Sequence, residues 1–253
     1  MALPPITLHT EGFPDEPGLD IAVSAVLHEW VARGRVGPTA RVHPTSRMVA
    51  FGRRDTHEDR YAEAAAISRA EGYAPVERLA GGRAAVFHGG TLGVSLVTPE
   101  ADATVGIHDR FEVITSLTVD ALHLLGVDPV VGEVPGEYCP GEYSVSAGGR
   151  TKLAGYGQRL IRGAAHVGGV VVVSGADEVN RLLVPIYETL ELPIDPGATG
   201  AIEHERSPAT VETVIGAFSH ALAQRWDVEA APLPEPLVAE ARDRVPGLLS
   251  PYT

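Results

Sequence analysis

The stretch YCPGEYSVSAGGRTKLAGYGQR, residues 138–159, contains the only cysteine of the 253-residue chain, Cys139, and its only lysine, Lys152. The other nineteen residues of the Lys and Arg total of 20 are arginines. A bias in composition explains why both residue types are scarce, but it does not explain why the two lie thirteen positions apart. This proximity predicts that a thiol and an ammonium act at one site.

Cys139 has the sequence surroundings of a reactive cysteine. The alternative is a small buried side chain, which is the common fate of a free cysteine. Glycines and prolines on both sides predict a loop instead, and loops held by a scaffold are where reactive groups concentrate. A thiolate is a strong nucleophile and forms a thioester that an amine can attack. No histidine lies close in sequence to act as a base, so His88 and His166 are candidates only if the fold brings them near.

Lys152 is the exception in a chain that supplies its other cations as arginine. The alternative is a solvated strand residue, as for most lysines. A retained lysine indicates a place where a compact ammonium is needed and a planar guanidinium does not fit. Such a group can stabilise the charge that develops on a carbonyl oxygen.

The segment RLAGGRAAVFHGG, residues 78–90, is rich in glycine. Two tight turns would explain it, but glycines before a strand also let the backbone approach a ligand closely. The segment contains neither the GKS/T end of a P-loop nor a GxGxxG that opens a helix. Ordinary nucleotide-binding folds are therefore disfavoured.

The net charge of −13 disfavours nucleic acid as a partner, since no stripe of basic residues is present to contact phosphates. It also disfavours an anionic membrane surface, and there is no run of eighteen apolar residues to span a bilayer. The N-terminal MALPPITLHTEGF lacks the basic and apolar regions of a secretion signal. One cysteine cannot form an internal disulfide. We therefore expect a soluble cytoplasmic protein.

The spacing of apolar residues predicts helices at residues 18–33, 57–72, 108–125, 176–191 and 208–226. Asp20 is the predicted N-cap of the first helix. Strands are predicted in residues 76–99, in residues 143–161 as a hairpin and in residues 166–175. The glycine- and proline-rich residues 127–142 are predicted to be a loop.

Helices and hairpins occur in blocks, which predicts an α+β fold. We predict one domain over residues 1–229. The remaining residues, 230–253, are rich in proline and are predicted to be a tail with one short helix.

Three blocks of sequence, in this order, resemble the biotin/lipoate protein ligase and lipoyl/octanoyl transferase superfamily. They are VAFGRR at 49–54, ERLAGGRAAVFHGGTLGVSLV at 77–97 and GGRTKLAGYGQRLIRG at 148–163. The third block contains the lysine that is found throughout the superfamily, here Lys152. The resemblance extends over residues 18–226 and implies a mixed, largely antiparallel sheet packed by helices, like the catalytic core of biotin ligase.

The loop YCPGEYSVSAGG, residues 138–149, is similar to that of the cysteine-dependent octanoyl transferases, which move octanoyl from the glycine cleavage H protein to other lipoyl domains. The resemblance implies an acyl-enzyme at Cys139, in a CPGxY motif that ends at Tyr143, with Lys152 holding the acyl carbonyl. The residues that it implies line or close an acyl tunnel are Arg78, Gly81, Gly82, His88, Gly155 and Gln158. It implies no metal. The implied partners are lipoyl-domain proteins, namely the H protein and E2 subunits, or octanoyl carrier protein as the donor.

Two other functions stay open. ATP-dependent lipoate ligases usually read SGGGAVFHD followed by an asparagine, whereas Arg83, Gly89 and Gly93 stand here in place of the third glycine, the aspartate and the asparagine. These departures disfavour adenylation, and we expect no cofactor. ATP and Mg would be required only if the chain is such a ligase, in which case Cys139 is incidental. The third function is a non-catalytic binder of lipoyl domains or acyl ligands.

Overall fold

The computed structural model describes residues 2–78, 80–206 and 208–252. The strands are β1 (Pro5–His9), β2 (Thr39–Pro44), β3 (Met48–Phe51), β4 (Ala74–Glu77), β5 (Ala85–Phe87), β6 (Thr91–Glu100), β7 (Pro129–Val131), β8 (Val145–Ala147), β9 (Thr151–Ile161), β10 (Gly163–Val172) and β11 (Asp227–Ala230). The helices are α1 (Leu19–Ala32), α2 (Tyr61–Ala70), α3 (Ile107–Leu124), α4 (Ala176–Thr189), α5 (Ile202–Glu205), α6 (Val211–Ala223) and α7 (Glu235–Arg244). No helix in the described ranges combines the length and apolar character that crossing a bilayer requires.

The strands form two sheets. The larger sheet has the order β11-β1-β2-β6-β10-β9-β8-β7, and only β1 is parallel to its neighbours. The smaller sheet has the order β4-β3-β5, with β3 parallel to β4 and antiparallel to β5. The predicted α+β class, with a mixed and largely antiparallel sheet, is confirmed.

Helices cover both faces of the larger sheet, which explains why β10 reads as an almost continuous apolar run. On one face, α1 packs against β6 and β10, and its buried Leu19, Val23 and Trp30 join a core that extends to the smaller sheet, α2 and α4. On the opposite face, α3 and α6 pack against each other, with Leu117 and Phe218 fully buried between helix and sheet. The two cores hold the strands that carry the site.

The start of α1 differs from the prediction. Gly18, at a φ of 84°, precedes the helix, and Asp20 lies inside the first turn. The Asp20 carboxylate is turned toward β2, where it accepts a hydrogen bond of 2.7 Å from Arg41 Nη2. Both side chains are at most 2% exposed. The predicted N-cap role is therefore wrong, because a buried guanidinium competes for the carboxylate.

Residues 230–252 pack against the rest of the chain. The strand before them, β11, adds to the edge of the larger sheet beside β1. Helix α7 lies against α1, with Leu237 and Ala241 fully buried. The segment that follows α7 runs beside β4. There the Leu248 carbonyl accepts a hydrogen bond from Glu77 N–H at 2.7 Å. The segment predicted as a tail thus contributes to the core beside α1 and the smaller sheet.

Candidate active site

Cys139 lies in the loop between β7 and β8, in a backbone conformation that residues other than glycine seldom adopt. Its φ is 44°, in the left-handed region that favours glycine. The loop is held there by Tyr187 of α4, whose hydroxyl accepts a hydrogen bond from Cys139 N–H at 2.7 Å and donates to Ala84 O at 3.0 Å. Burial raises the pKa of Tyr187 well above its usual value, so the phenol remains neutral and able to donate.

The sulfur of Cys139 faces two hydrogen-bond donors. Arg83 N–H donates to Sγ at 3.2 Å, and Arg78 Nη2 lies 3.7 Å from Sγ. Gly82, with a φ of 98°, allows this approach, because a Cβ at that position would lie 2.7 Å from both Sγ and Arg78 Nη2. Backbone N–H and guanidinium groups in this arrangement can stabilise negative charge that develops at the sulfur or on an adjacent oxygen.

Arg83 anchors the loop that supplies these donors. Its Nη1 contacts Asp55 Oδ1 at 3.2 Å and Glu58 Oε1 at 2.7 Å, which ties the loop to the short 3-10 helix Asp55–His57. A second constraint is a close backbone approach, since a Cβ on Gly52 would lie only 2.0 Å from Gly82 O. Arg83, which stands where ligases usually carry glycine, therefore holds in place the backbone that donates to the Cys139 sulfur.

Lys152, at the start of β9, lies directly beneath the Cys139 loop. It is 1% exposed, and its Nζ donates to the carbonyl oxygens of Tyr138 and Cys139, each at 2.9 Å. Nζ also lies 3.3 Å from Glu137 Oε1 and 4.8 Å from the centre of the Tyr138 ring. Burial lowers the pKa of Lys152, while the neighbouring Cys139 and Glu137 oppose that shift. The predicted proximity of thiol and ammonium is present, but the ammonium binds the backbone carbonyl of Cys139 itself.

Glu137 is a central residue of the site that sequence reasoning missed. Its side chain is fully buried, and Oε1 accepts from Ser144 Oγ at 2.6 Å and from Gly141 N–H at 3.0 Å, in addition to Lys152. Oε2 accepts from Val134 N–H at 3.3 Å. One carboxylate therefore fastens both arms of the Cys139 loop and neutralises the buried ammonium. Its spacing from Cys139 does not distinguish it from a surface acid, so the sequence carried no signal for it.

A cavity of about 100 Å³ lies between α1 and the larger sheet. Its residues are Asp20, Ile21, Ser24, Ala25, His28, His43, Thr45, Met48, Arg78, Ala80, Phe87, Gly93, Val94, Ser95, Arg159, His166, Gly168 and Gly169. Glycines on the sheet make the room, since a Cβ on Gly168 would lie 2.6 Å from Ser95 Cβ and one on Gly93 would lie 2.5 Å from His43 Nε2. Arg78 belongs both to this cavity and to the surroundings of the Cys139 sulfur.

Some of the residues predicted to bind substrate gather at this junction. Arg78 and Gly82 contact the sulfur, as described, and Gly81 O lies 3.5 Å from the Cβ position of Gly157 on β9. Gly155 makes room for the lysine, because a Cβ there would lie 2.8 Å from Lys152 Cε. The approach of Gly81 and Arg78 to Gly157 brings three of these positions together, while Gly155 lies beside Lys152.

Gln158 and Tyr143 lie elsewhere. Side chains alternate along a strand, so Gln158 is on the face of β9 opposite Gly157 and the cavity. Its Oε1 accepts from Arg110 Nε at 3.0 Å and its Nε2 donates to Ile107 O at 2.5 Å, both on α3. The Tyr143 ring stacks on Phe111 of α3 at 4.7 Å. The predicted role of Gln158 in closing the tunnel is therefore at odds with its contacts, and a substrate contact for Tyr143 stays a prediction.

Neither candidate histidine reaches the sulfur. The ring of His88 is buried beside α4, where Nδ1 accepts from Gly90 N–H at 3.0 Å and lies 3.6 Å from Glu178 Oε2. His88 is absent from the cavity walls within the described residues, although its neighbour Phe87 is present. His166 lies inside the cavity, and burial lowers its pKa to about 3. In the described part of the chain, the hydrogen-bond donors at Sγ are Arg83 N–H and Arg78.

A family model described as the lipoyl protein ligase A/B catalytic domain matches residues 16–221. The chain belongs to this family. The match includes all the residues that surround the Cys139 sulfur, and the predicted family is confirmed.

Relatives in this family are named as acyltransferases. The chain is 32% identical over 208 residues to an octanoyl-GcvH:protein N-octanoyltransferase of Geobacillus kaustophilus, a match that covers 82% of this chain and 71% of the relative. A relative of the same name in Anoxybacillus flavithermus is 32% identical over 61% of this chain and 55% of its own length. A lipoyl-GcvH:protein N-lipoyltransferase of Listeria monocytogenes is 26% identical over 69% of this chain and 64% of that protein.

Solved structures of the family share the fold. Lipoate-protein ligase A bound with ATP superposes with a TM-score of 0.76 at 18% identity, covering 97% of this chain and 95% of that one. A bipartite lipoate protein ligase from Thermoplasma acidophilum gives a TM-score of 0.70 at 18% identity, covering 96% of this chain and 92% of that one. The predictions of an enzyme and of octanoyl or lipoyl transfer are confirmed by the relatives, whereas the thioester on Cys139 stays a prediction.

Proposed function

We propose that this protein is a cysteine-dependent acyltransferase that moves octanoyl, or lipoyl, between lipoyl-domain proteins through a thioester on Cys139. The observation that carries the proposal is the position of the Cys139 sulfur, with Arg83 N–H at 3.2 Å and with Arg78 reaching both the sulfur and the apolar cavity. A carbonyl carbon bonded to that sulfur would have donors for its oxygen on one side and a place for its chain on the other.

In the first half-reaction, Sγ attacks the amide carbonyl that joins octanoyl to a lysine of the donor. The sulfur–carbon bond forms, the carbon–nitrogen bond breaks, and the thiol proton leaves with the lysine amine. Arg83 N–H and the Arg78 guanidinium stabilise the charge on the carbonyl oxygen. In the second half-reaction the acceptor lysine amine attacks the thioester carbonyl, the carbon–nitrogen bond forms, the sulfur–carbon bond breaks, and a proton from the amine returns to sulfur.

Lys152 acts in this scheme by holding the nucleophile loop. Its Nζ donors already bind the carbonyls of Tyr138 and Cys139 and the Glu137 carboxylate. Holding the acyl carbonyl, the role implied by the resemblance, requires one of those carbonyls to leave Nζ. We propose that the loop contacts come first and that the acyl oxygen competes for them during transfer.

The scheme needs no ATP, because it exchanges one amide for another. The intermediate thioester is higher in energy than either amide, and burial of the chain offsets part of that difference. At about 0.8 kcal/mol for each buried methylene, an eight-carbon chain contributes on the order of 5 kcal/mol. Arg83, which stands where ligases usually carry glycine, is occupied by Asp55 and Glu58 and supports the thiol route.

The proposed partners follow from the relatives, whose names specify the H protein of glycine cleavage as donor. We propose the same donor here, with the lipoyl domains of H protein and E2 subunits as acceptors and octanoyl carrier protein as an alternative donor. A catalytic cysteine must stay reduced, which fits the cytoplasm as the proposed compartment.

Intact-protein mass spectrometry tests the proposal. Incubation with octanoylated H protein, or with octanoyl carrier protein, should leave a hydroxylamine-labile octanoyl adduct on the wild type and none on Cys139→Ala. Cys139→Ser is the conservative control, since its hydroxyl is a much weaker nucleophile. Product that requires ATP and survives Cys139→Ala would establish a ligase instead, and absence of any turnover would favour a non-catalytic binder.

A further inference from the structure

The sulfur and its backbone donor come from distant parts of the chain. The sulfur belongs to the loop between β7 and β8, whereas the N–H that donates to it belongs to Arg83, 56 residues earlier and just before β5. A hydrogen bond weakens steeply once its geometry is lost, so a small shift of either segment would separate sulfur and donor. The site therefore needs a group that fixes one segment relative to the other.

The Tyr187 hydroxyl on α4 is such a group. It accepts from Cys139 N–H at 2.7 Å and donates to Ala84 O at 3.0 Å. One oxygen atom thus bridges the residue that carries the sulfur and the residue that follows Arg83. Tyr187 is 1% exposed and Ala84 is fully buried, so the bridge lies inside the protein.

The bridge has a fixed direction. Burial raises the pKa of Tyr187 well above its usual value, so the hydroxyl keeps its proton at neutral and mildly alkaline pH. That single proton is donated to Ala84 O, and the oxygen is left to accept from Cys139 N–H. The hydroxyl therefore acts on the backbone of the site and has no proton to give to the reaction.

The same hydroxyl supports the unusual backbone of Cys139. A φ of 44° is unfavourable for a residue other than glycine, and such a conformation persists only where its surroundings hold it. The N–H of Cys139 is held by Tyr187, and its carbonyl oxygen by Lys152 Nζ at 2.9 Å. Removing the hydroxyl frees one of these two attachments.

We infer that Tyr187 is a positioning residue for acyl transfer, because its hydroxyl keeps the Cys139 sulfur at the Arg83 N–H. Tyr187 is not among the described residues that line the cavity or donate to the sulfur, so it acts through Cys139. The effect on transfer rests on the proposed function. The effect on the sulfur requires only the thiol.

Tyr187→Phe tests the inference, since it removes the hydroxyl and keeps the aromatic ring. Acylation by octanoylated H protein, followed in a single turnover as the hydroxylamine-labile adduct, should be about 10–100-fold slower at saturating donor, because small misplacements of reacting groups are costly. The donor concentration that gives half the maximal rate should stay within about twofold of the wild-type value. A role in folding alone would leave the rate of the folded variant unchanged.

Alkylation by iodoacetamide examines the sulfur without any acyl donor. The thiolate is the reacting form, and hydrogen bonds to the sulfur favour it. The ratio of the alkylation rate at pH 7 to that at pH 9 therefore reports how well the donors stabilise the charge, while differences in access cancel. In Tyr187→Phe this ratio should fall about three- to tenfold, as the sulfur leaves the Arg83 N–H.

Tyr73→Phe is the matched control, because Tyr73 is also 1% exposed and its hydroxyl donates to Glu178 of the same helix α4. It should keep the wild-type acylation rate and alkylation ratio. Far-UV circular dichroism shows whether Tyr187→Phe folds. If it does not, 4-aminophenylalanine at this position decides the question, since its amine still donates to Ala84 O but accepts poorly from Cys139 N–H.

The outcome is separable from that of the proposed function. Absence of an adduct on the wild type, together with a lowered alkylation ratio in Tyr187→Phe, would refute the acyl-enzyme and support the positioning of the sulfur. An adduct on the wild type, with the acylation rate and alkylation ratio unchanged in folded Tyr187→Phe, would overturn the inference and leave the acyl-enzyme in place.

Discussion

Glu137→Gln removes the negative charge beneath the Cys139 loop and leaves the shape of the side chain nearly unchanged. The substitution leaves the Lys152 ammonium without its counter-ion. This ammonium lies 3.3 Å from Glu137 Oε1, and the lysine side chain is 1% exposed. Breaking a buried ion pair by removing one member costs about 3–5 kcal/mol, because the remaining charge is desolvated and uncompensated. The new amide nitrogen also cannot accept from the N–H and O–H groups that the carboxylate served. We expect Glu137→Gln to lower the free energy of unfolding by about 3 kcal/mol, and the melting temperature by about 10 °C.

The pH dependence of this loss identifies its cause. Burial already lowers the pKa of Lys152, and removing Glu137 removes one of the groups that oppose that shift. A depressed pKa means that the folded state binds fewer protons than the unfolded chain up to pH of about 10.5, so stability rises with pH through this window. The deficit of Glu137→Gln should therefore be larger at pH 7 than at pH 10.

Urea denaturation of four proteins measures the effect. Glu133→Gln, an exposed carboxylate of the same loop, is the control and should change stability by less than about 0.5 kcal/mol. In the Glu137→Gln/Lys152→Met double variant both charges are gone, and about 2 kcal/mol of the loss should be recovered although the carbonyls of Tyr138 and Cys139 are left unpaired. A Glu137→Gln deficit below about 1 kcal/mol, or a double variant no more stable than Glu137→Gln, would refute the assigned role of the carboxylate.

Two further predictions concern the cavity. Gly168→Ala places a methyl group 2.6 Å from Ser95 Cβ, so it should destabilise the fold by about 1–3 kcal/mol and weaken octanoate binding at least about tenfold in calorimetry. Gly216→Ala on α6 is the control. Its methyl group meets no atom within 4 Å, so it should raise the free energy of unfolding by about 0.5–1 kcal/mol. Burial lowers the pKa of His43 to about 4 and that of His166 to about 3, so each ring stays neutral in the fold while the unfolded chain binds protons below about pH 6.5. Stability should fall by about 1.4 kcal/mol per pH unit for each ring between pH 6.5 and about 4, and His166→Leu should remove one proton from the slope.

Each of these predictions has a result that contradicts it. Unchanged octanoate affinity in Gly168→Ala would show that the chain does not lie above that glycine. A slope of unfolding free energy against pH that is the same with and without His166 would show that its ring is not held neutral.

The sequence was sufficient for the parts of the site that depend on residue type and short spacing. The solitary cysteine and lysine predicted a shared location, and Lys152 Nζ indeed lies 2.9 Å from Cys139 O. Rarity could not show which atom the ammonium holds, since that depends on the turn of the loop and on the buried Glu137. An acid two residues before a cysteine has no spacing that distinguishes it from a surface acid.

Other differences come from long-range pairing. Tyr187 lies 48 residues from Cys139 along the chain, and nothing in helix α4 marks its hydroxyl as the anchor of a distant loop. Gln158 was grouped with Gly155 because both lie in one motif. Side chains alternate along β9, however, so an odd-numbered and an even-numbered residue point to opposite faces of the sheet. Residues 127–142 were predicted to be a loop throughout, but they contain the strand β7. This strand has only three residues and forms by pairing with β8, which the composition of the segment does not indicate.

The left-handed backbone at Cys139 sets stability against chemistry at a single position. A residue other than glycine in this conformation costs on the order of 1–2 kcal/mol, so glycine would make the loop sturdier and abolish the sulfur. Selection for stability alone therefore favours Cys139→Gly, which would remove the proposed acyl-enzyme, so a thermostable variant selected without an activity screen should be sequenced at this position.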